Sequence, residues 1–467
     1  MTNKIKSHRP TPSELGHFFE MRNVGCEPPP KSKIYSCDKP SPVRAIAEYE
    51  PMGGVLIAYP GTIAPSEKQL PPTGPREFGI PNELIIRMQQ ADSELPVQIF
   101  IMCDDQGQRS KVIDDLTATA ASSKGLKFDP DLIHFVPWDT DTYWTRDYGP
   151  WWVYNKGTGY YGIANHIYTT LGGGSVGLVE GAEGVDPMEG SGIFRPNDEY
   201  GAIRFSDFLN APIRKWNKAE WNKIKKLPPI DVHNWYCTGL LDVGGNYMVT
   251  SNSIIASSYL VATQNELPVH KEEQTTDPCA YTIEERMKYI LEQLNRFMGL
   301  TTYHVLTDPS GTYIGHIDCW GKFLADDKVL IAKSQDAKVN DAYDKIAESF
   351  NTEGFKVYRV LCQDIYVPIV SQPATTAAYT NSLILNDHVY VPIVGGKYAE
   401  DDEKALSVYS EALPNHTIVG IIGKPETPWL GTDALHCRTR GVPRTVVDNW
   451  LKSKSKGVVT KRPSVTT

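Results

Sequence analysis

The stretch Trp144-Thr-Arg-Asp-Tyr-Gly-Pro150 runs directly into Trp151-Trp-Val-Tyr-Asn-Lys-Gly-Thr-Gly-Tyr160. The second part has apolar residues on both sides of a polar turn, which is typical of a β-hairpin. The first part ends in a Gly-Pro turn and carries Asp147 among aromatic and arginine side chains. The junction therefore predicts a segment rich in functional groups attached to a β unit.

The same strand, turn, strand pattern recurs three more times. The turns lie roughly 60 to 95 residues apart, which leaves room for a further strand and a helix in each interval. Recurrence of this kind is typical of a ring or propeller, although a mixed α/β protein with unrelated hairpins fits the pattern equally well. The three further hairpins are Tyr247–Ala256, Lys322–Ile331 and Ser382–Val391.

Short apolar runs and amphipathic stretches alternate along the chain, which predicts an α/β fold. Thr282 and Glu285 form a capping box for one helix, and Gly299 ends it. The predicted strands are Gly54–Tyr59, Val97–Met102, Ile133–Val136, Lys356–Leu361 and Thr417–Ile422, and the predicted helices are Thr282–Met298, Asp341–Phe350 and Asp402–Leu413.

The composition excludes several classes of protein. Of 467 residues, 40% are hydrophobic and 22% are charged, which is typical of a soluble globular protein. A net charge of −9 argues against nucleic acid as a partner, and no apolar run approaches the length of a membrane span. No signal peptide is apparent, so we expect a cytoplasmic location, with a secreted mature form left open. The oligomeric state is not indicated.

Composition also predicts the domain organisation. We expect an irregular arm over 1–45, one large domain over 46–449 and a solvated tail over 450–467. A glycine-rich insertion over 166–194 lacks the pattern of a phosphate-binding loop and is expected to form a lid near the site.

Eight cysteines are spread along the chain without a Cys-x-x-Cys or a Cys/His cluster, so no metal site is expected. One disulfide, between Cys26 and Cys37, is left open. Cys437 differs from the others because His436, Arg438 and Arg440 surround it in the sequence. Positive neighbours lower the pKa of a thiol, so we expect Cys437 to be reactive.

Two further segments carry titratable groups. In Gly315-His-Ile-Asp-Cys319, an extended strand would present His316 and Asp318 on one face. Around Asp147, the aromatic rings of Trp144, Trp151 and Trp152 would attract a planar cation. Either segment alone is also compatible with an ordinary polar strand or a surface ion pair.

Together, two carboxylates, a histidine and a cysteine suit chemistry on a guanidinium group. The carboxylates would hold its nitrogens through paired hydrogen bonds and place its carbon in line with the sulfur. The histidine would protonate the departing ammonia and then activate water. This chemistry requires no metal and no redox cofactor.

The sequence resembles the bacterial, Porphyromonas-like peptidylarginine deiminases and the related agmatine deiminases, which are guanidino-group-modifying enzymes. The matching stretches, which span roughly residues 45 to 445 in family order, are Asp141–Trp151, Gly244–Met248, Asp308–Leu324, Tyr379–Asn386 and Thr432–Thr439.

The resemblance implies a five-bladed α/β propeller of pseudo-fivefold ββαβ repeats with a central, calcium-independent active site. It implies catalytic roles for Cys437 as nucleophile, His316 as acid and base, and Asp147 and Asp318 as guanidinium-holding carboxylates. The positions that match the family's substrate pocket are Trp144, Arg195, Tyr313, Asn381 and Thr432. The expected substrate is an arginine-containing peptide or protein, which is converted to citrulline.

The chain departs from the family at two points. In Ile193-Phe-Arg-Pro-Asn-Asp198, Arg195 matches one of two arginines that bind a terminal carboxylate, but Ile193 replaces the other. Loss of that group should cost about 1–3 kcal/mol of preference for terminal arginine, so we expect action on internal arginine too. The chain also ends soon after Cys437, so no immunoglobulin-like C-terminal domain is expected.

Two alternatives accompany this interpretation. An agmatine deiminase would need a distal carboxylate for the second ammonium group of its substrate, and Arg195 disfavours that. The run Asp433-Ala-Leu-His-Cys437 also resembles the peptide-acting branch more closely. A propeller that has lost activity and serves as a binding module is disfavoured because all four catalytic residue types are present.

Overall fold

A computed structural model describes residues 42–61, 76–157, 159–168, 196–214, 234–258, 283–310, 316–366, 375–423, 429 and 433–457. The strands in these ranges are β1 (Val43–Ala45), β2 (Met52–Ala58), β3 (Gln98–Met102), β4 (Ile133–Val136), β5 (Trp151–Asn155), β6 (Tyr160–Ile167), β7 (Asn234–Leu241), β8 (Tyr247–Val249), β9 (Ile254–Ser258), β10 (Thr302–Leu306), β11 (Gly321–Ala325), β12 (Lys328–Lys333), β13 (Lys356–Leu361), β14 (Asp364–Ile365), β15 (Thr375–Thr376), β16 (Leu383–Leu385), β17 (His388–Ile393), β18 (Thr417–Ile422) and β19 (Arg440–Pro443).

The α-helices in the same ranges are α1 (Asn82–Met88), α2 (Gln106–Ser122), α3 (Thr145–Tyr148), α4 (Pro196–Glu199), α5 (Gly201–Arg214), α6 (Ile283–Met298), α7 (Ala337–Thr352), α8 (Ala399–Ala412) and α9 (Arg444–Gly457). All five strands and all three helices expected from the sequence are present, with ends that shift by a few residues. None of the helices in the described ranges is long and apolar enough to cross a membrane.

Five sheets share one internal order, and a short β14–β15 ribbon lies apart from them. In each of the five, an antiparallel pair is followed by a strand parallel to its second member. A helix, α1, α5, α6, α7 or α8, connects the second strand of each unit to the third. The fold is therefore α/β, and the described ranges contain five ββαβ units.

Four of the five antiparallel pairs are the hairpins expected from the sequence, namely β5–β6, β8–β9, β11–β12 and β16–β17. The fifth pair joins β19 to β2, so residues from opposite ends of the chain form it. A pattern search for local hairpins could not find this pair, because its two strands are almost 400 residues apart in the sequence.

The helices connect the sheets through apolar faces and end at identifiable residues. In α6, Ile290, Leu294 and Phe297 lie on one buried stripe, as the helical spacing predicts. Gly299 follows with φ +71°, and a Cβ there would lie 1.9 Å from the Val43 carbonyl oxygen. Glycine is required at this position because any side chain would collide with the first strand.

The expected domain boundaries differ from the structure at both ends. Val43–Ala45 pairs with β5 as strand β1, so the sheet begins before residue 46. At the other end, α9 continues to Gly457, and Trp450 is buried against Phe100 and Phe208. Burial of Trp450 anchors α9 to the core, although the basic composition of the segment predicts a solvated tail. Similarly, β6 extends to Ile167, so the start of the glycine-rich stretch belongs to a strand, and most of it lies outside the described residues.

Candidate active site

The candidate catalytic residues occupy equivalent places in the repeated units. Each lies in the short segment that immediately precedes the first strand of a unit: Asp147 before β5, Gly245 before β8, His316 and Asp318 before β11, Asn381 before β16 and Cys437 before β19. Equivalent positions in five similar units bring together side chains that are far apart in the sequence.

Cys437 is buried in a polar setting. Its Sγ lies 3.3 Å from Oδ2 of Asp318 and accepts a hydrogen bond from Nδ2 of Asn381 at 3.1 Å. The Asn381 Oδ1 accepts from the backbone N–H groups of Ala434 and Cys437, at 3.0 and 3.2 Å. One fully buried amide therefore fixes both the loop that carries the cysteine and the sulfur itself.

Asp318 continues a chain of polar contacts away from the sulfur. Its Oδ2 lies 2.7 Å from Nδ1 of His436, whose Nε2 lies 2.8 Å from Oε2 of Glu48. A neutral imidazole donates only one hydrogen bond, and burial lowers the pKa of His436, so the neutral ring donates to one of its two carboxylate partners at a time. Burial would raise the pKa of Asp318, but the hydrogen bond from His436 holds it below its usual value.

His316 and Asp147 face the same space as Asp318. Nδ1 of His316 lies 3.9 Å from Oδ1 of Asp147, and neither ring nitrogen has a hydrogen-bond partner within the described ranges. Burial lowers the pKa of His316, so the ring is neutral near pH 7 and one nitrogen can accept a proton. This is the state that a general base requires.

Gly245 marks the point where the three groups converge. Its backbone N–H donates to Oδ1 of Asp147 at 3.0 Å. A Cβ at this position would lie 2.6 Å from Nδ1 of His316, 2.8 Å from Oδ1 of Asp147 and 3.2 Å from Oδ2 of Asp318. The three side chains, with the sulfur in contact with Asp318, therefore surround one small volume that a glycine leaves free.

The local backbone differs from two expectations. Ile317–Cys319 is a 3-10 turn and β11 begins only at Gly321, so His316 and Asp318 do not alternate along a strand. Asp147 likewise lies in the short helix α3, and Gly149 turns the chain into β5 instead of ending a strand. Main-chain hydrogen bonds within these turns override the strand pattern, yet they still direct both polar side chains inward.

The electrostatic expectation for Cys437 is wrong. Burial raises the pKa of its thiol well above the usual value, and the negative charges of Asp318 and Asp433 act in the same direction. The positive neighbours in sequence are engaged elsewhere: Arg438 pairs with Asp433, and Nε of Arg440 donates to the Pro150 carbonyl oxygen. The thiol is therefore protonated at neutral pH in the free protein.

Trp144 lies at the edge of the site, whereas the two tryptophans after Pro150 do not. Nε1 of Trp144 donates to Oδ2 of Asp433 at 2.8 Å, and the side chain remains partly exposed. Trp151 and Trp152 are buried among apolar residues of the sheets, so the expectation that they attract a cation is wrong. Arg195, Tyr313 and Thr432, which were expected to bind substrate, lie outside the described residues, as does the cysteine pair 26 and 37.

Sequence reasoning missed two members of the site. Glu48 contacts His436, Lys322 and the backbone N–H of Ile384, although it lies almost 400 residues before the cysteine. Burial would raise the pKa of Glu48, but Lys322 and His436 hold it well below the usual value. Gly245 was noted only within a matching stretch. An acid shortly before the predicted strand Gly54–Tyr59 is an available signal for Glu48, but only the fold identifies its partners.

The described part of the chain contains no group of three or more His, Cys, Asp or Glu side chains arranged to hold a metal ion. The four cysteines whose side chains lie in the described ranges and form no disulfide are Cys103, Cys319, Cys362 and Cys437.

Comparison with known proteins agrees with this geometry. Residues 284–443 match the family of Porphyromonas-type peptidyl-arginine deiminases. Among solved structures, an agmatine deiminase of C. jejuni is 15% identical with a TM-score of 0.54, and the match covers 86% of this chain and 96% of that one.

Two further structures give similar values. The Enterococcus faecalis agmatine deiminase is 18% identical with a TM-score of 0.55, covering 86% of this chain and 96% of that one. A putative arginine deiminase of Porphyromonas gingivalis is 15% identical with a TM-score of 0.54, covering 86% and 98%.

The fold is therefore shared with the agmatine and arginine deiminases among the solved structures. The family whose model matches residues 284–443 is that of the Porphyromonas-type peptidyl-arginine deiminases, so the resemblance predicted from the sequence is confirmed.

Proposed function

We propose that this protein hydrolyses the guanidino group of arginine residues in peptides or proteins, which yields citrulline and ammonia. The observation that carries the proposal is the convergence of Asp147, His316 and Asp318 around Gly245, with the Cys437 sulfur 3.3 Å from Asp318. Two anions, a neutral base and a thiol around one small volume match a planar cation that must be held and attacked.

In the first half of the proposed reaction, the carboxylates of Asp147 and Asp318 hold the guanidinium nitrogens. Cys437 Sγ transfers its proton to His316 and attacks the central carbon. The C–N bond then breaks, His316 returns the proton to the departing nitrogen, and ammonia leaves. A thiouronium remains covalently attached to the sulfur.

In the second half, His316 removes a proton from water, and the hydroxide adds to the thiouronium carbon. The C–S bond breaks and the sulfur recovers a proton from His316. The carbonyl oxygen loses its remaining proton to solvent and a neutral urea group remains on the substrate, so the guanidinium cation and water give the urea, ammonia and one proton. Asn381, which contacts Sγ at 3.1 Å, orients the sulfur for both steps.

The positive charge of the substrate would make it easier for the Cys437 thiol to lose its proton. Because burial and nearby carboxylates raise the pKa of Cys437, the protein alone keeps the sulfur protonated and unreactive. A guanidinium bound between Asp147 and Asp318 neutralises their charge and lowers the pKa of the thiol. Reactivity is thus restricted to complexes with a cationic ligand.

Two observations support a peptide substrate, one from the family match and one from the sequence. The matched family acts, by its name, on peptidyl-arginine, and the match includes His316, Asp318, Asn381 and Cys437. Arg195, with Ile193 in place of a second arginine, supports acceptance of internal as well as terminal arginine. Agmatine remains the alternative substrate.

The five ββαβ units support a propeller of five blades. In this arrangement, the β19–β2 pair closes the ring by joining the two ends of the chain, and the active site lies at its centre. The catalytic unit then comprises all five sheets, β1 included, together with α9.

A direct test compares formation of the ureido product from agmatine, free arginine and matched peptides with internal or terminal arginine. We expect citrulline from both peptides, no product with Cys437→Ala, and little product from agmatine. If agmatine is by far the best substrate, the proposed peptide substrate is wrong, but the proposed reaction at the guanidino group stands. A strong preference for terminal arginine would reject the role given to Ile193.

A further inference from the structure

A second cavity adjoins the catalytic residues but is separate from the volume around the sulfur. Asp318 and His436 form part of its wall, whereas Cys437, His316 and Asp147 do not line it. Its polar wall is otherwise built from Glu48, Arg146, Trp151, Tyr247, Lys322 and Arg440, and apolar side chains of the sheets complete it. The mechanism proposed above makes no use of this cavity.

The cavity wall carries more positive than negative charge. Lys322 Nζ lies 2.8 Å from the carboxylate of Glu48, so this pair is neutral overall. Arg146 Nη2 reaches the same carboxylate only at 4.0 Å, and Arg440 makes one polar contact within the described ranges, to a backbone carbonyl. The guanidinium groups of Arg146 and Arg440 therefore have only the Glu48 carboxylate nearby to offset their charge, and Lys322 already neutralises that carboxylate.

This excess charge is costly for the protein alone. Burial lowers the pKa of Arg440 to about 9, and repulsion by Arg146 acts in the same direction. A buried cation is strongly destabilising unless an opposite charge offsets it. Among the described residues, the remaining acid in the wall is Asp318, which is engaged by His436.

The unpartnered polar atoms of the wall are hydrogen-bond donors. Nη2 of Arg146, Nε1 of Trp151 and the hydroxyl of Tyr247 have no hydrogen-bond partner in the part of the chain that the structure describes. The three side chains are 4%, 1% and 6% exposed. Buried donors are almost always paired, and these three belong to side chains that line the same cavity.

We propose that this cavity binds a small monovalent anion, with chloride as the physiological representative. Such an ion supplies the missing negative charge and accepts hydrogen bonds from Arg146, Trp151 and Tyr247. A water molecule would accept two of these hydrogen bonds but would leave the charge of Arg146 and Arg440 uncompensated. The site shares the wall residue Asp318 with the proposed deimination site, but the ion contacts Arg146, Trp151 and Tyr247, which have no role in the proposed reaction.

Bromide provides a direct test, since it replaces chloride and scatters anomalously. Crystals of the full chain grown with sodium bromide should show an anomalous peak within hydrogen-bond distance of Arg146 Nη2 and the Tyr247 hydroxyl. Density for water without an anomalous peak, at a bromide concentration that saturates the thermal response, would overturn the proposal.

Thermal unfolding gives a second test that does not depend on activity. The melting temperature should rise by about 3 °C with chloride or bromide, saturate, and change less with gluconate at equal ionic strength. Tyr247→Phe should shift the halide midpoint to roughly tenfold higher concentration. Tyr390→Phe is the matched control, because the Tyr390 hydroxyl donates to the Arg87 carbonyl oxygen and Tyr390 does not line the cavity. Equal responses to halide and gluconate, or an unchanged midpoint in Tyr247→Phe, would contradict the proposal.

Discussion

Cys437 Sγ and Oδ2 of Asp318 lie 3.3 Å apart in a buried setting, and the same oxygen lies 2.7 Å from a ring nitrogen of His436. A thiolate at this distance from a carboxylate would be strongly disfavoured. The contact is favourable only while the sulfur keeps its proton or while a cation lies between the charges. The cationic substrate proposed above would supply this positive charge, whereas the free protein does not favour the thiolate.

The first prediction concerns the pH dependence of Cys437. The folded state raises the pKa of this thiol, so its thiolate fraction grows only as the pH rises beyond the ordinary thiol value of about 8.5. Alkylation by neutral iodoacetamide should be slow at pH 7 and still increase above pH 9 or so. Rates are measured by mass spectrometry of the Cys437 peptide. Rapid labelling that no longer changes above pH 7 would contradict the raised pKa.

Gly245→Ala should abolish catalysis without unfolding the protein. The added methyl group would lie within 3.0 Å of the His316 ring and the Asp147 carboxylate, so these groups must move apart. We expect a loss of at least about 100-fold in kcat, because small misplacements of catalytic groups have effects of this size. Gly321→Ala is the matched control, since a Cβ there makes only ordinary contacts. Equal activity of the two variants would reject the convergence at Gly245.

Glu48→Gln should destabilise the protein because it leaves Lys322 buried without its carboxylate partner. Loss of one member of a buried ion pair costs about 3 kcal/mol, which urea unfolding measures directly. Adding Lys322→Met should recover most of this loss, since an apolar side chain of similar length replaces the unpaired ammonium. A double variant no more stable than Glu48→Gln would show that the pair does not account for the effect.

Asn381→Asp tests the amide that orients the nucleophile. The aspartate is isosteric and one oxygen can still accept from the Ala434 and Cys437 backbone N–H groups. Its other oxygen would face the sulfur in place of a donor. We expect a decrease in kcat of about 100-fold or more with a folded protein, as for loss of one buried donor at a reaction centre. Asn351→Asp, at an exposed position near the end of α7, is the matched control and should leave kcat unchanged.

Local pattern was sufficient for most of the fold. Four hairpins, five strands and three helices follow from alternation, turn residues and helical spacing, which depend on neighbours in the chain. The β19–β2 pair and the inclusion of Val43–Ala45 in a sheet were missed, because non-local pairing leaves no local signal. The prediction of a solvated tail from residue 450 was wrong because the many lysines of this segment outweigh one apolar residue, Trp450, which is buried.

For the site, residue types were easier to predict than their electrostatics. The convergence of Asp147, His316, Asp318 and Cys437 agrees with the chemistry assembled from separate motifs. The thiol was expected to be activated by Arg438 and Arg440, but sequence proximity does not show where a guanidinium points. Arg438 turns to Asp433, and burial then dominates the pKa of the sulfur.

The most direct test of the central claim is detection of the covalent intermediate. The enzyme is mixed with an arginyl peptide, quenched in acid during turnover and digested. The mass of the fragment that contains Cys437 is then measured by mass spectrometry. The account predicts an adduct on Cys437 with the mass of the substrate less ammonia, which is absent in Cys437→Ala. Ureido product formed by Cys437→Ala at the wild-type rate, with no adduct in the wild type, would contradict it.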